Sequence, residues 1–366
     1  MPRTILCSIG TRPEAIKMAP VIKALQQEPW ARVRVLATAQ HRHLLDQVLQ
    51  FFGITPDIDL NIMRPNQSLS ELTSRLLHEL DGVLQSEQPD VVLAQGDTTT
   101  VMAVALACYY QHIPFGHVEA GLRTGDLQNP FPEEANRVIA GRLSRWHFAP
   151  TEGARNNLLK EGIAEDAVMV TGNTVIDALF MTATKNIAIG VPLDPAKRLI
   201  LVTSHRRENF GQPFHTICRA LRDLALKNPS VQFLYPVHPN PNVKEVAHAL
   251  LADVANFILC DPLEYPPFVA AMQQAYFIIS DSGGVQEEAP ALGKPVLVLR
   301  NETERPEAVE LGAVKLVGAD YDRILFEAQT LLDDPSAYTA MARGVSPYGD
   351  GEAAARIVTA LRNHFA

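Results

Sequence analysis

The stretch Tyr276-Phe277-Ile278-Ile279-Ser280-Asp281-Ser282-Gly283-Gly284-Val285-Gln286-Glu287-Glu288 passes from an apolar run through a turn of small residues into a helical pattern. It reads as strand, turn and helix. Ser282, Gly283 and Gly284 carry almost no side-chain bulk, so their backbone N–H groups can approach a ligand closely. The start of the following helix adds its positive dipole end, which makes the turn a phosphate cradle. Glu288 lies one turn into that helix, where a carboxylate suits the dipole and can accept hydrogen bonds from the vicinal hydroxyls of a ribose. Phosphate with ribose points to a nucleotide. Asp281 and Ser282 can equally cap the helix while the glycines pack it on a sheet, so the rest of the chain must decide.

Around this stretch, β-rich apolar runs alternate with helical patterns. Thr4–Ile9, Arg32–Ala39, Val91–Gln95 and Phe115–Val118 form a first series. Leu199–Ser204, Val231–Val237, Asn256–Cys260, Tyr276–Ser280, Pro295–Leu299 and Val314–Val317 form a second. Such βαβ repetition builds mostly parallel sheets covered on both faces, with ligands gathered beyond the carboxyl ends of the strands. The expected fold class is therefore α/β, with two Rossmann-like domains facing a cleft. The first domain is expected over 1–172 with the candidate carboxylates, a connecting helix and linker over 173–190, and the nucleotide-binding domain over 191–346. A C-terminal helix over 347–366 can return to the first domain.

The 366 residues are enough for two domains of ordinary size, and 47% hydrophobic with 20% charged residues is a globular balance. A formal charge of −9 argues against nucleic acid or an anionic membrane surface as a general partner. A phosphorylated small molecule held by local arginines fits better. Cys7, Cys108, Cys218 and Cys260 contain no Cys-x-x-Cys pair, so neither a disulfide framework nor a zinc site is expected. The run Ile5–Ile9 is too short for a signal or membrane segment, and a cytoplasmic protein without membrane insertion is expected. Gly349-Asp350-Gly351-Glu352-Ala353-Ala354 fits G-x-G-x-x-A but follows no strand, and no H-E-x-x-H occurs, so no redox cofactor and no catalytic metal are expected.

The residues that can carry chemistry cluster where strands end. Gly10-Thr11-Arg12-Pro13-Glu14 closes the first strand, with Lys17 three residues on. Thr11, Pro13 and Glu14 are explained by helix initiation; Arg12 and Lys17 are not, and are cations able to meet a diphosphate. Asp97 follows Gln95-Gly96, and three threonines after it could serve as the cap in its place. Glu119 stands in His117-Val118-Glu119-Ala120-Gly121-Leu122-Arg123, and Glu133 and Glu134 follow Phe131-Pro132. Asp97, Glu119 and Glu133 can converge, and grouped carboxylates split their proton affinities, so that one serves as base and another as acid. Glu134 reads as a first-turn residue favoured by the helix dipole. In the second series, Thr203-Ser204-His205-Arg206-Arg207 places a histidine able to supply a proton beside Arg206, able to grip a phosphate. Phe268 can line a base pocket, and Arg305 stands at another helix start in Thr303-Glu304-Arg305-Pro306-Glu307. His238 reads as a structural residue or ligand contact.

Assembled, these motifs resemble those of the bacterial non-hydrolysing UDP-N-acetylglucosamine 2-epimerases over nearly the whole chain. The resemblance implies a glycosyltransferase-B-like fold, a homodimer and no cofactor. It also implies interconversion of UDP-N-acetylglucosamine with UDP-N-acetylmannosamine through elimination of UDP to a 2-acetamidoglucal and readdition, supplying precursors for cell-surface polysaccharide. Carried over residue by residue, Asp97, Glu119 and Glu133 are the acid/base carboxylates, which of them takes the proton being open, and His205 assists at the sugar and leaving phosphate. Arg12, Lys17, Ser282, Gly283, Gly284 and Arg305 match positions that hold UDP or its phosphates, Glu288 the ribose and Phe268 the uracil region.

Two departures stand out. Leu263 occupies a place where some relatives have a polar Gln near the nucleotide. Relatives also bind a second UDP-N-acetylglucosamine as activator around a segment similar to Gln40-His41-Arg42-His43, and here His43 and Asn66 differ from the Gln and Arg of some activator sites. Rival expectations are a UDP-sugar-dependent glycosyltransferase of the same fold, a hydrolysing epimerase and a non-catalytic nucleotide-sugar sensor.

Overall fold

The computed structural model describes residues 2–38, 42–64, 66–303 and 305–365, without the side chains of 42–44. Gln40, His41 and the His43 side chain, the candidate activator contacts, therefore lie outside the described residues. The chain forms two compact units, Met1–Met181 with Tyr348–Ala366, and Thr182–Pro347.

In the first unit seven strands form one sheet: β1 (Arg3–Ile9), β2 (Ala31–Ala37), β3 (Ile58–Asp59), β4 (Val91–Gln95), β5 (Phe115–Val118), β6 (Trp146–Ala149) and β7 (Val168–Val170). Their order is β3-β2-β1-β4-β5-β6-β7, and every pairing is parallel. Val91-Val92-Leu93-Ala94-Gln95 is buried throughout, as a strand covered on both faces must be. Sequence order reverses between β1 and β4, which pair through Ile5–Val91, Leu6–Val92 and Cys7–Leu93. Such a switch point opens a crevice outside the carboxyl ends of the two strands. Helix Leu69–Glu87 buries Leu72, Leu76, Leu80 and Leu84, a stripe of i, i+4 spacing, onto this sheet's core. The C-terminal helix Ala353–Phe365 packs on helix Arg12–Gln26, and its first N–H groups at Ala353 and Ala354 donate to Asp177.

The second unit repeats the scheme with β8 (Arg198–Thr203), β9 (Val231–Pro236), β10 (Phe257–Cys260), β11 (Ala275–Ser280), β12 (Val296–Val298) and β13 (Val314–Leu316). Again all pairings are parallel, in the order β10-β9-β8-β11-β12-β13. Its switch point lies between β8 and β11, where the Thr203 and Ser280 hydroxyls meet at 2.6 Å. Phe214, Leu221, Phe233, Tyr235 and Phe277 fill the core. The strand–turn–helix reading of 276–288 holds: β11 ends at Ser280, Ser282 is the N-cap residue, and the helix runs Gly283–Ala291.

The fold is thus α/β, with two doubly wound parallel sheets of glycosyltransferase-B-like type. Three strands escape the sequence pattern. β3 has two residues and β7 three, one of them the exposed Met169. β6 places a histidine in its interior, and His147 is buried because the Gly141 and Ala167 carbonyls meet its two ring nitrogens at 2.8 and 3.3 Å. Period-based reading sees a polar residue there and stops. Among the described residues no helix is long and apolar enough to cross a membrane.

Candidate active site

At the first switch point the β1 turn is fixed by sterics and by a capping box. A methyl group on Gly10 would stand 2.7 Å from Thr38 Oγ1 and 3.0 Å from Thr100 Oγ1, so only glycine fits. Thr11 caps helix Arg12–Gln26, and Glu14 Oε2 accepts from Gly10 N at 2.5 Å and Thr11 N at 3.3 Å. Burial pushes the Glu14 carboxyl up to about 7. Arg12 is left exposed on the first turn and pairs with no carboxylate among the described residues. A cation at the positive end of a helix favours an anionic ligand between them.

Lys17, one turn further, points its Nζ at Glu119 Oε1, 2.6 Å away. Glu119 itself sits beyond β5 in the left-handed region at φ 62°, a strained conformation for a side-chain-bearing residue. Its carboxylate is 6% exposed and collects two further donors, Asn173 Nδ2 at 2.7 Å on the same oxygen and Gln95 Nε2 on the other. Helix, strand and turn therefore all fix one carboxylate. A carboxylate so surrounded by donors is held in one orientation.

Asp97 is treated differently. Thr98, not Asp97, caps the helix Thr99–Tyr110 through Val101 N, so the Asp97 side chain has no capping duty. Its backbone is pinned instead: Asn136 Nδ2 donates to the Asp97 carbonyl at 2.9 Å, and His117 Nε2 lies 2.7 Å from the Gly96 carbonyl. Burial pushes His117 down to about 4, so this histidine is a neutral donor to Gly96. The Asp97 carboxylate is about a third exposed and meets Arg137 Nη2 at 3.0 Å. Partial burial nevertheless raises its proton affinity above the ordinary aspartate value, outweighing Arg137, with the Glu119 and Glu133 charges acting in the same upward direction and Lys17 against. Two carboxylates at one strand-end cluster thus stand in unlike environments, and Glu133, first residue of its helix, is close enough for its charge to be felt.

Glu134 does more than favour a dipole. It is buried, and its Oε1 accepts from Thr124 N and Gly125 N at 3.0 Å each, tying down the loop after β5. Sequence reasoning also passed over Gln95, Asn136, Arg137 and Asn173. Gln95 was open to detection, since an amide ending an otherwise apolar buried strand needs a partner.

At the second switch point the β8 loop carries Ser204, His205 and Arg206, and the β11 turn carries Asp281 to Gly284. The His205 side chain is 40% exposed and its ring stacks on His238 at 5.5 Å between centroids. Arg206 Nε is buried without a hydrogen-bond partner among the described residues, a donor that calls for an anion. Ser282 makes no side-chain cap bond, so the first N–H groups of helix Gly283–Ala291 keep their directionality toward a ligand. Arg305 lies directly over this start: a methyl on Gly283 would fall 2.7 Å from its Nη1. Arg305 Nε donates to the buried Glu287 at 2.5 Å, which aims the guanidinium. One turn into the helix, Glu288 accepts from the buried Tyr265 hydroxyl at 3.1 Å. Phe268 is half-buried in the first turn of helix Tyr265–Gln274, with Leu263 shortly before it.

The second sheet's end can therefore hold two phosphates and a diol, and the first sheet's end can exchange protons. Comparison with known proteins gives the family. A family model described as UDP-N-acetylglucosamine 2-epimerase matches residues 23–362. The chain is 55% identical over 370 residues to the UDP-N-acetylglucosamine 2-epimerase of Escherichia coli K12, covering 98% of each chain. Among solved structures it is similar to the UDP-GlcNAc 2-epimerase of Neisseria meningitidis bound to UDP-GlcNAc, with a TM-score of 0.89 at 50% identity over 98% of this chain and 100% of that one. It is also similar to the Methanocaldococcus jannaschii UDP-GlcNAc 2-epimerase in complex with UDP-GlcNAc and UDP, with a TM-score of 0.80 at 34% identity over 98% and 99% of the two chains. With sheet order, strand-end chemistry and full-length similarity in accord, the chain belongs to the UDP-N-acetylglucosamine 2-epimerase family.

Proposed function

We propose that the protein interconverts UDP-N-acetylglucosamine and UDP-N-acetylmannosamine without hydrolysing either. The observation that carries this reading is the pair of unlike carboxylates at the β1/β4 switch point: Glu119 locked by Lys17, Asn173 and Gln95, and Asp97 with a raised proton affinity. A glycosyl transfer needs no such pair beside the sugar. A proton exchange at carbon does.

The C2–H of the sugar is a poor acid while C1 stays bonded to oxygen. As the C1–O bond to UDP breaks, positive charge grows at C1 and the adjacent C2–H bond becomes labile. Its electrons form the C1=C2 bond of a 2-acetamidoglucal, and the proton passes to a carboxylate. Asp97 is suited to take it, because a carboxylate of raised proton affinity pulls harder on a carbon-bound proton than an ordinary aspartate does. Glu119, held in place by Lys17, Asn173 and Gln95, is the carboxylate suited to stabilise the charge growing at C1. Glu133 is suited to deliver a proton to the opposite face. In the return step UDP adds to C1 while C2 is protonated on that face, giving the manno isomer. No electrons are gained or lost overall.

On the other unit, Arg206, Arg305 and the N–H groups after Ser282 hold the diphosphate, whose terminal oxygen takes the electron pair of the broken C1–O bond. His205, protonated at Nε2 in the complex, supplies the proton that oxygen takes and recovers it on readdition. Glu288 receives the ribose hydroxyls, with one of its acceptor sites already used by Tyr265. Tyr265→Phe should therefore weaken UDP binding about three- to tenfold, the worth of a neutral hydrogen bond, and weaken 2′-deoxy-UDP less. An equal calorimetric loss for both nucleotides would detach Glu288 from the ribose. The same reading takes the protein as a cytoplasmic homodimer.

The deciding test is proton NMR of the protein with UDP-N-acetylglucosamine in heavy water, with no metal, cofactor or acceptor added. Exchange of the C2 proton with appearance of a UDP-linked manno isomer is the expected result. Free N-acetylmannosamine as the main product would convert the reading to a hydrolysing enzyme, and transfer seen only with an added acceptor would convert it to a glycosyltransferase.

A further inference from the structure

We infer that Asp281 is a positioning residue for His205: one carboxylate oxygen holds the 204–206 loop and the other faces the imidazole, so that Nδ1 keeps its hydrogen and Nε2 is the nitrogen that takes up a proton and hands it to the reacting partner. This deepens the function proposed above and rests on it only for what His205 Nε2 meets.

Asp281 is fully buried at the end of β11. As a helix cap it would face Gly283 and Gly284. Instead its carboxylate turns across the switch point to a loop 76 residues away in sequence. Oδ2 accepts from Ser204 Oγ at 2.8 Å, His205 N and Arg206 N at 2.9 Å each, and Asn209 Nδ2 at 3.0 Å. Asn209 is itself held by the Leu299 carbonyl at 3.1 Å. Four donors on one oxygen compensate a buried negative charge without a cation. Oδ1 is left with His205 N at 3.1 Å and with the His205 ring, whose Nδ1 lies 3.6 Å away.

An ionised carboxylate offers only acceptors, so the ring nitrogen turned toward it is the one that bears hydrogen. Such contacts are commonly long before substrate binds and shorten in the complex. The other face of the ring is set by His238. Its Nδ1 accepts from Asn240 N at 3.1 Å, which leaves the hydrogen of the neutral His238 ring on Nε2. The groups facing His205 are thus Asp281, His238 and its own neighbour Arg206. Partial burial, His238 and Arg206 favour the neutral imidazole and Asp281 opposes them. Because Asp281 directly precedes Ser282, the turn that holds the diphosphate also holds the histidine in register with it.

The test is the two-bond 15N–1H spectrum of the full-length protein labelled at histidine, with His205 assigned by the signals lost in His205→Asn. His205 is expected in the Nδ1–H form. Asp281→Asn puts an amide donor where Oδ1 was, and should move His205 to the Nε2–H form and shift its titration further down. Epimerisation should then fall about tenfold to a hundredfold in kcat with KM within about threefold, as expected of misoriented acid catalysis. A wild-type His205 found in the Nε2–H form, or one whose tautomer ignores Asp281→Asn, overturns the inference. Should the variant not fold, the wild-type spectrum decides alone. These spectra need no turnover: an Nδ1–H His205 in a protein that does not epimerise would refute the proposed function and leave the role of Asp281 standing.

Discussion

Asp97→Asn should lower kcat for epimerisation about 10³- to 10⁴-fold, near the upper range for loss of a general base, and should abolish exchange of the C2 proton with solvent. UDP should bind within about threefold of its native affinity, because Asp97 is not among the nucleotide contacts proposed above, most of which lie on the other unit. The substitution is close to isosteric and spares the backbone that positions it, since Asn136 and His117 hold the carbonyls of Asp97 and Gly96, not the side chain. What disappears is a basic oxygen and the ion pair with Arg137, whose side chain is only 11% exposed. Some stability is therefore lost with the charge, and a thermal melt must accompany the kinetics to keep unfolding separate from chemistry. The pH profile gives an independent check. Partial burial, assisted by Glu119 and Glu133, raises the Asp97 pKa, so a base in its ionised form loses activity as pH falls through a value above that of an ordinary aspartate. Glu133→Gln, which also removes the proposed acid, should lower epimerisation and move the acidic limb of the remaining Asp97-dependent C2 proton exchange to lower pH. Proton exchange that persists in Asp97→Asn would transfer the role of base to another carboxylate and end this assignment.

Much of the architecture was legible because two strands, Val91–Gln95 and Tyr276–Ser280, are so continuously apolar that only burial on both faces explains them. The candidate residues were legible as types for a related reason. A charged or small residue placed just after such a strand lies at the carboxyl edge of a parallel sheet, whatever the details of the helices, and the sheet order then decides which edges form a switch point. What one dimension conceals is the partner set. Lys17 meets Glu119 across 102 residues, Asn173 meets Glu119 across 54, and Asp281 meets the His205 backbone across 76. In sequence, Asn173 is one polar residue after a glycine and Asp281 is a good helix cap. Glu134 likewise satisfies a local rule, the first helical turn, while its carboxylate serves Thr124 and Gly125. Local rules account for such residues so cheaply that the longer-range duty leaves no trace. The short strands β6 and β7 were missed because register with β5, not any pattern of their own, extends the sheet through them.

Gly283→Ala should raise the dissociation constant for UDP about 10²- to 10³-fold while changing the unfolding free energy by less than about 1 kcal/mol, as for a shift of an accessible side-chain end. A new Cβ at Gly283 would stand 2.7 Å from Arg305 Nη1 and 2.8 Å from Cζ, closer than side chains tolerate. The guanidinium must therefore leave its place over the helix start. It is not free to do so without consequence, because Arg305 Nε is bonded to Glu287, and the Arg305 backbone is held by Thr303, whose hydroxyl donates to Gln286 at 2.6 Å. Glu287 and Gln286 belong to the cradle's own helix, so the cation and the N–H groups form one unit aimed at the same anion. Displacing Arg305 removes a charge-assisted contact worth about 1.5–3 kcal/mol, and the methyl group also narrows the approach of a phosphate to the backbone. Gly284→Ala supplies the internal control. There the added methyl would be 3.5 Å from Glu288 Oε1, an ordinary contact, so the affinity loss should stay below about tenfold. Calorimetric titration of both variants with UDP, beside their melting curves, separates the possibilities. A loss of stability matching the loss of affinity would make Gly283 a packing glycine. Unchanged affinity in Gly283→Ala would mean that the diphosphate is held somewhere other than beneath Arg305.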